Sequence, residues 1–181
     1  MTQKLLNRFG LLLGTIALPL VAADTGPFYV SGSIINSQGD MRQMTQNPLG
    51  YGAEVGFRFT PAEFGLDLVG HVGYLAATQD KKLATTNQST VKAGHFGVGL
   101  SYPVAKLPMA VEVGLVMHSW DVGNLYSPTG GKGETSWKMG VRTVVSYDIT
   151  PKWGANLGYT FSEYVAGINP SYVSIGASYR F

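Results

Sequence analysis

Eight separate stretches of this chain alternate between apolar residues and small or polar ones, and no other feature constrains the fold as tightly. Leu49 to Phe59 shows the pattern most cleanly. Leu49, Tyr51, Ala53, Val55, Phe57 and Phe59 share one parity, and Gly50, Gly52, Glu54, Gly56 and Arg58 share the other. The last ten residues repeat it, with Val173, Ile175, Ala177, Tyr179 and Phe181 set against Tyr172, Ser174, Gly176, Ser178 and Arg180. Successive side chains of a strand point to opposite faces, so a period of two predicts strands with one apolar face. The other six stretches are centred on Phe28–Ile34, Leu66–Tyr74, Phe96–Tyr102, Met109–Met117, Trp137–Tyr147 and Trp153–Phe161.

The connections alternate in length. Thr60–Glu63, Pro103–Pro108 and Asp148–Pro151 are short turns, whereas Ser37–Pro48, Thr78–Thr90, Ser119–Glu134 and Ser162–Pro170 are longer and polar. An even number of antiparallel strands of about ten residues, joined this way, is the pattern of a membrane-crossing barrel. Charged residues make up only 13% of the chain, about half the roughly 25% usual in soluble domains. Only helices and closed barrels satisfy their backbone inside lipid, and no apolar run beyond the N-terminus is long enough for a spanning helix. The predicted fold is therefore all-β, a transmembrane eight-stranded antiparallel up-and-down β-barrel.

The apolar parity carries aromatics near the strand ends. Phe28, Phe59, Tyr102, Tyr147, Trp153 and Phe181 fall toward the turns, and Tyr51, Tyr74, Trp137 and Phe161 toward the longer loops. Two aromatic belts around an aliphatic band fit a lipid-facing exterior. The opposite parity is mostly Gly, Ser and Thr with isolated charges, which would serve poorly as a water-facing surface.

Residues 1–23 read as a cleaved signal peptide, with Lys4 and Arg8 before an apolar core and Val21-Ala22-Ala23 at the cleavage site, leaving 24–181 as the barrel. Its removal leaves acidic and basic residues balanced, so nothing favours nucleic acid as a partner. With no cysteine, thiolate metal sites and disulfides are ruled out.

Chemistry is confined to the lumen and the loops. Glu54, Asp67 and Glu112 face inward against Arg58, Lys138, Arg142 and Arg180. A barrel of eight strands is just wide enough for side chains to fill, so these charges are expected to pair as one lumen network. His71, His95 and His118 share the inward parity, without the ligand spacing of a metal motif. His118, Ser119 and Asp121 invite a hydrolase reading, but neighbours on a strand point to opposite faces, and a serine nucleophile needs its base within about 3 Å. No catalytic residue, metal or cofactor is therefore assigned. Met41, Arg42, Met44, Lys81, Lys82, Trp120, Tyr126, Tyr164 and Ile168 lie in the loops, and Trp120, Tyr126 and Tyr164 are the expected contacts for an extracellular ligand.

The leader, the eight strands, the Asp148-Ile-Thr-Pro-Lys-Trp153 turn and the Ala177-Ser-Tyr-Arg-Phe181 ending together resemble the small outer-membrane barrels of the OmpX/Ail, opacity-protein and OmpA transmembrane-domain group. The resemblance implies a bacterial outer-membrane location, surrounding outer-membrane lipid, and Tyr179 and Phe181 as the signal read by the barrel-assembly machinery. It also implies a structural, surface-display or adhesion-type role rather than an enzymatic one. A narrow channel for small solutes or ions, and a lipid-modifying enzyme, are the alternatives.

Overall fold

The computed structural model describes residues 26–40, 49–61, 65–79, 89–121, 135–165 and 169–181. The leader expected over 1–23, and the loop residues Met41, Arg42, Met44, Lys81, Lys82, Tyr126 and Ile168, lie outside them. Eight strands are formed, in chain order β1 (Phe28–Ser37), β2 (Leu49–Phe59), β3 (Asp67–Gln79), β4 (Ser89–Pro103), β5 (Met109–Asp121), β6 (Thr135–Asp148), β7 (Trp153–Ser162) and β8 (Tyr172–Arg180). Each pairs antiparallel with its neighbour in sequence, and β1 pairs with β8 to close the barrel. Closure removes every edge within the paired part of the wall, which is what a β structure needs inside a membrane.

The alternation sets the two faces as expected. Phe28, Phe59, Tyr102, Tyr147 and Trp153 are exposed on the outside near the turns, and Tyr51, Tyr74, Trp137 and Phe161 near the loops. Val30, Leu68, Val72, Val98, Leu100, Val113, Leu115, Leu157 and Ile175 are exposed between them. On the turn side of β7 and β8, Tyr179 meets Trp153 and Phe181 edge-on, with ring centroids 4.9 and 5.1 Å apart. The large buried side chains of the strands belong to the other parity, so the core of this protein is its lumen.

The wall is not level. The β1–β2 ladder ends at Asn36↔Leu49 and the β7–β8 ladder at Thr160↔Tyr172. In contrast, β3–β4 continues to Gln79↔Ser89 and β5–β6 to Asp121↔Thr135. Strands expected to stop near Tyr74 and Met117, or to start near Phe96 and Trp137, thus run further on the loop side.

Candidate functional site

Within the lumen the side chains form three layers. Nearest the turns, Arg180 pairs with Asp148 at 2.6 Å, and Arg58 lies 3.8 Å from Asp67, which also accepts a hydrogen bond from the Thr60 hydroxyl at 2.8 Å. In the middle, Arg142 of β6 donates two hydrogen bonds to Glu54 of β2, at 2.7 and 2.9 Å, and its Nε lies 3.9 Å from Glu112. His95 Nε2 approaches the same Glu54 carboxylate at 3.6 Å. Small residues on β1, β7 and β8 leave room beside this pair for a cavity of about 30 Å³, lined in part by Ser31, Ser33, His95 and Tyr172.

Above that layer an apolar cluster fills much of the lumen. Ile35, Leu75, Ala77, Val91, Ala93, Trp120, Val165 and Tyr172 pack into one buried cluster on the loop side. Trp120 is 0% exposed, stacks on His118 with centroids 5.0 Å apart, and donates its indole N–H to the Ser162 hydroxyl at 3.2 Å. His118 Nε2 lies 3.3 Å from the Tyr172 hydroxyl, close enough to share a hydrogen bond.

These contacts correct two expectations. The seven inward charges do not form one network: Arg58–Asp67 and Arg180 stand apart from the Glu54–Arg142–Glu112 group, and Lys138 makes no ion pair among the described residues. The partner of Arg180 is Asp148, assigned from sequence to a turn but placed by the structure at the end of β6. Trp120 is not a loop contact. It lies on β5, and its parity matches Val116 and His118, so the strand carries it into the lumen. That shared parity was the available signal. Tyr164 does stand at the loop side, 59% exposed. His118 is buried while Ser119, its neighbour, takes the opposite face, so these two do not assemble as base and nucleophile.

The three histidines, by contrast, come together although nothing in their spacing announces it. His95 pairs directly with His118 across β4 and β5, and His71 lies one step away on β3. Strand register, not sequence distance, places them in one file.

The family described as outer membrane protein beta-barrel domain matches residues 9–181. The chain belongs to that family. As a member it is a protein of the bacterial outer membrane. Its fold is similar to that of Ail from Yersinia pestis in a phospholipid nanodisc, at TM-score 0.54 and 13% identity over 84% of this chain and 99% of that one. Neisserial surface protein A is similar at TM-score 0.51 and 19% identity, over 86% and 98% of the two chains. The N-terminal barrel of Pseudomonas aeruginosa OprF is similar at TM-score 0.55 and 10% identity, over 84% and 97%. No curated protein matches this outer-membrane barrel in sequence.

Proposed function

We propose that this outer-membrane barrel works without catalysis, as an envelope protein that holds a raised rim of strands and loops outside the bilayer for contact with other surfaces. The observation that carries this reading is the height of β3–β6. Above the belt residue Trp137, Thr135 and Ser136 of β6 continue the β5–β6 ladder past the β6–β7 ladder, which begins at Gly140↔Ser162. At about 3.3 Å per residue, such extensions carry the ends of β3–β6 beyond those of the neighbouring strands. Outer-membrane lipid covers the apolar band, and the assembly machinery reads Tyr179 and Phe181. Ail is named as an attachment and invasion protein, and one of its structures holds the heparin analogue sucrose octasulfate; for this chain an adhesion-type role remains a proposal on the strength of the rim.

The lumen supports display over conduction. The Arg142–Glu54 pair crosses it and the apolar cluster lies above, beside a cavity with space for little more than water.

Cells carrying the wild type, and variants lacking 80–88 or 122–134, test the reading by adhesion to cultured cells and to glycan-coated surfaces. Gel mobility of the folded form checks each barrel. Loss of adhesion in either folded variant is the expected result; adhesion equal to wild type in both overturns it. Discrete current steps from the purified wild type in a planar bilayer would replace it with the channel reading.

A further inference from the structure

The chain has three histidines and no cysteine, and the fold gathers all three on one side of the lumen. The ring centroids of His71 and His95 are 5.7 Å apart and those of His95 and His118 5.6 Å. Glu54, on the neighbouring β2, completes a triangle: one ligand atom from each of Glu54, His71 and His95 lies within 4.8 Å of the other two. The closest pair, Glu54 Oε2 and His95 Nε2, is 3.6 Å apart. Donors about 2.0–2.1 Å from a tetrahedral zinc ion stand about 3.4 Å from one another. That pair is therefore near coordination distance already, and His71 needs only a modest ring movement to join it.

Polar atoms without partners point to the same place. Both ring nitrogens of His71 and Nδ1 of His95 have no hydrogen-bond partner among the described residues, although His71 is only 6% exposed. Burying an imidazole this way is costly unless water or a ligand meets it. The neighbouring strands leave room for the rings. His71 faces Gly97 and His95 faces Gly73 across β3 and β4. A Cβ on Gly97 would lie 2.7 Å from His71 Nε2, and one on Gly73 2.7 Å from His95 Nε2.

Arg142 is the competing cation at Glu54. It has a second carboxylate within reach, because Glu112 Oε1 is 3.9 Å from its Nε and is buried without a hydrogen bond. An ion arriving at Glu54 can push the guanidinium toward Glu112, and this layer sets two carboxylates against one guanidinium. We propose that Glu54, His71 and His95 bind one divalent transition-metal ion, of the zinc or nickel class rather than magnesium or calcium. Two imidazoles and a carboxylate select that class by ligand type. The adjoining cavity of about 30 Å³ can hold a water as the fourth ligand. His118, held between Trp120 and Tyr172, stays outside the coordination sphere.

The test uses the untagged barrel folded in detergent micelles, dialysed against zinc chloride with excess magnesium chloride and read by elemental analysis. One zinc per barrel is expected. His71→Gln and His95→Gln should each weaken binding at least tenfold, and His118→Asn should leave it within about twofold. Cobalt chloride on the wild type alone should give the intense visible bands of four-coordinate cobalt, so the proposal stays testable even where a variant does not fold. A wild type that takes up no zinc, or a cobalt spectrum of the weak six-oxygen kind, overturns it. So does zinc uptake that persists undiminished in a folded His71→Gln/His95→Gln variant.

Discussion

Arg142 on β6 reaches Glu54 on β2 across the full width of the lumen, Nη1 to Oε2 at 2.7 Å and Nη2 to Oε1 at 2.9 Å. The two strands stand opposite one another in the eight-stranded ring, so this pair ties walls that share no backbone ladder. Both side chains are largely buried, and a bidentate guanidinium–carboxylate contact is the strongest form such a pair takes. Removing one partner leaves the other charge buried alone. Arg142→Met is expected to destabilise the barrel by about 3–5 kcal/mol, measured by urea unfolding from lipid vesicles. The Glu54→Gln/Arg142→Met double variant should lose clearly less than the two single losses added together; simple additivity would mean the pair is not coupled.

Trp120 supports the apolar lid from inside. Trp120→Ala should cost about 3–5 kcal/mol through the cavity it leaves. Trp120→Phe should cost about 1 kcal/mol, mainly the hydrogen bond to Ser162. Brominated lipid gives an independent reading of position. With Trp137 and Trp153 replaced by Phe, fluorescence from Trp120 should be almost unquenched, whereas either of the other two tryptophans left alone should be strongly quenched. Strong quenching of Trp120 would place it on the wrong side of the wall.

Val98 and Leu115 are directly paired, exposed and far from both aromatic belts. Arginine at Val98 should therefore reduce the folding free energy by about 2–4 kcal/mol, while arginine at Tyr102, in the turn-side belt, should cost about 0–1 kcal/mol. Equal costs at the two positions would contradict the depth assigned to the band.

Lys106 sits in the β4–β5 turn with φ at 68°, the left-handed region that side chains other than glycine's disfavour. Leu107 N–H donates to the Val104 carbonyl at 3.1 Å across the same turn, so the conformation is held in place. Lys106→Gly should stabilise the barrel by up to about 1 kcal/mol, because relief of that strain exceeds the added freedom of the unfolded chain. A loss of stability in the unfolding midpoint would show that the lysine side chain has a role there.

A Cβ at Gly97 would collide with the His71 ring at 2.7 Å and with the Leu115 carbonyl oxygen at 2.6 Å. Gly97→Ala should accordingly destabilise by about 1–3 kcal/mol. Gly32→Ala, with open space around the added methyl, should stay within about 0.5 kcal/mol and serves as the control.

The sequence by itself determined the eight strands, their two faces, the short turns and the aromatic belts. Lipid on one side and a narrow lumen on the other make every second residue answer to a different solvent, and that leaves a period of two in the chain. Beyond the belts lipid no longer dictates the outer face, and the period fades. Thr78–Gln79 and Ser89–Thr90 therefore read as loop although they continue the β3–β4 ladder. Only the tertiary structure decided which inward groups meet. Glu54 and Arg142 are 88 residues apart and on opposite walls, and His71, His95 and His118 belong to three strands. Their proximity depends on how far each strand slides against the next on closure, and no single strand's pattern of faces encodes that slide.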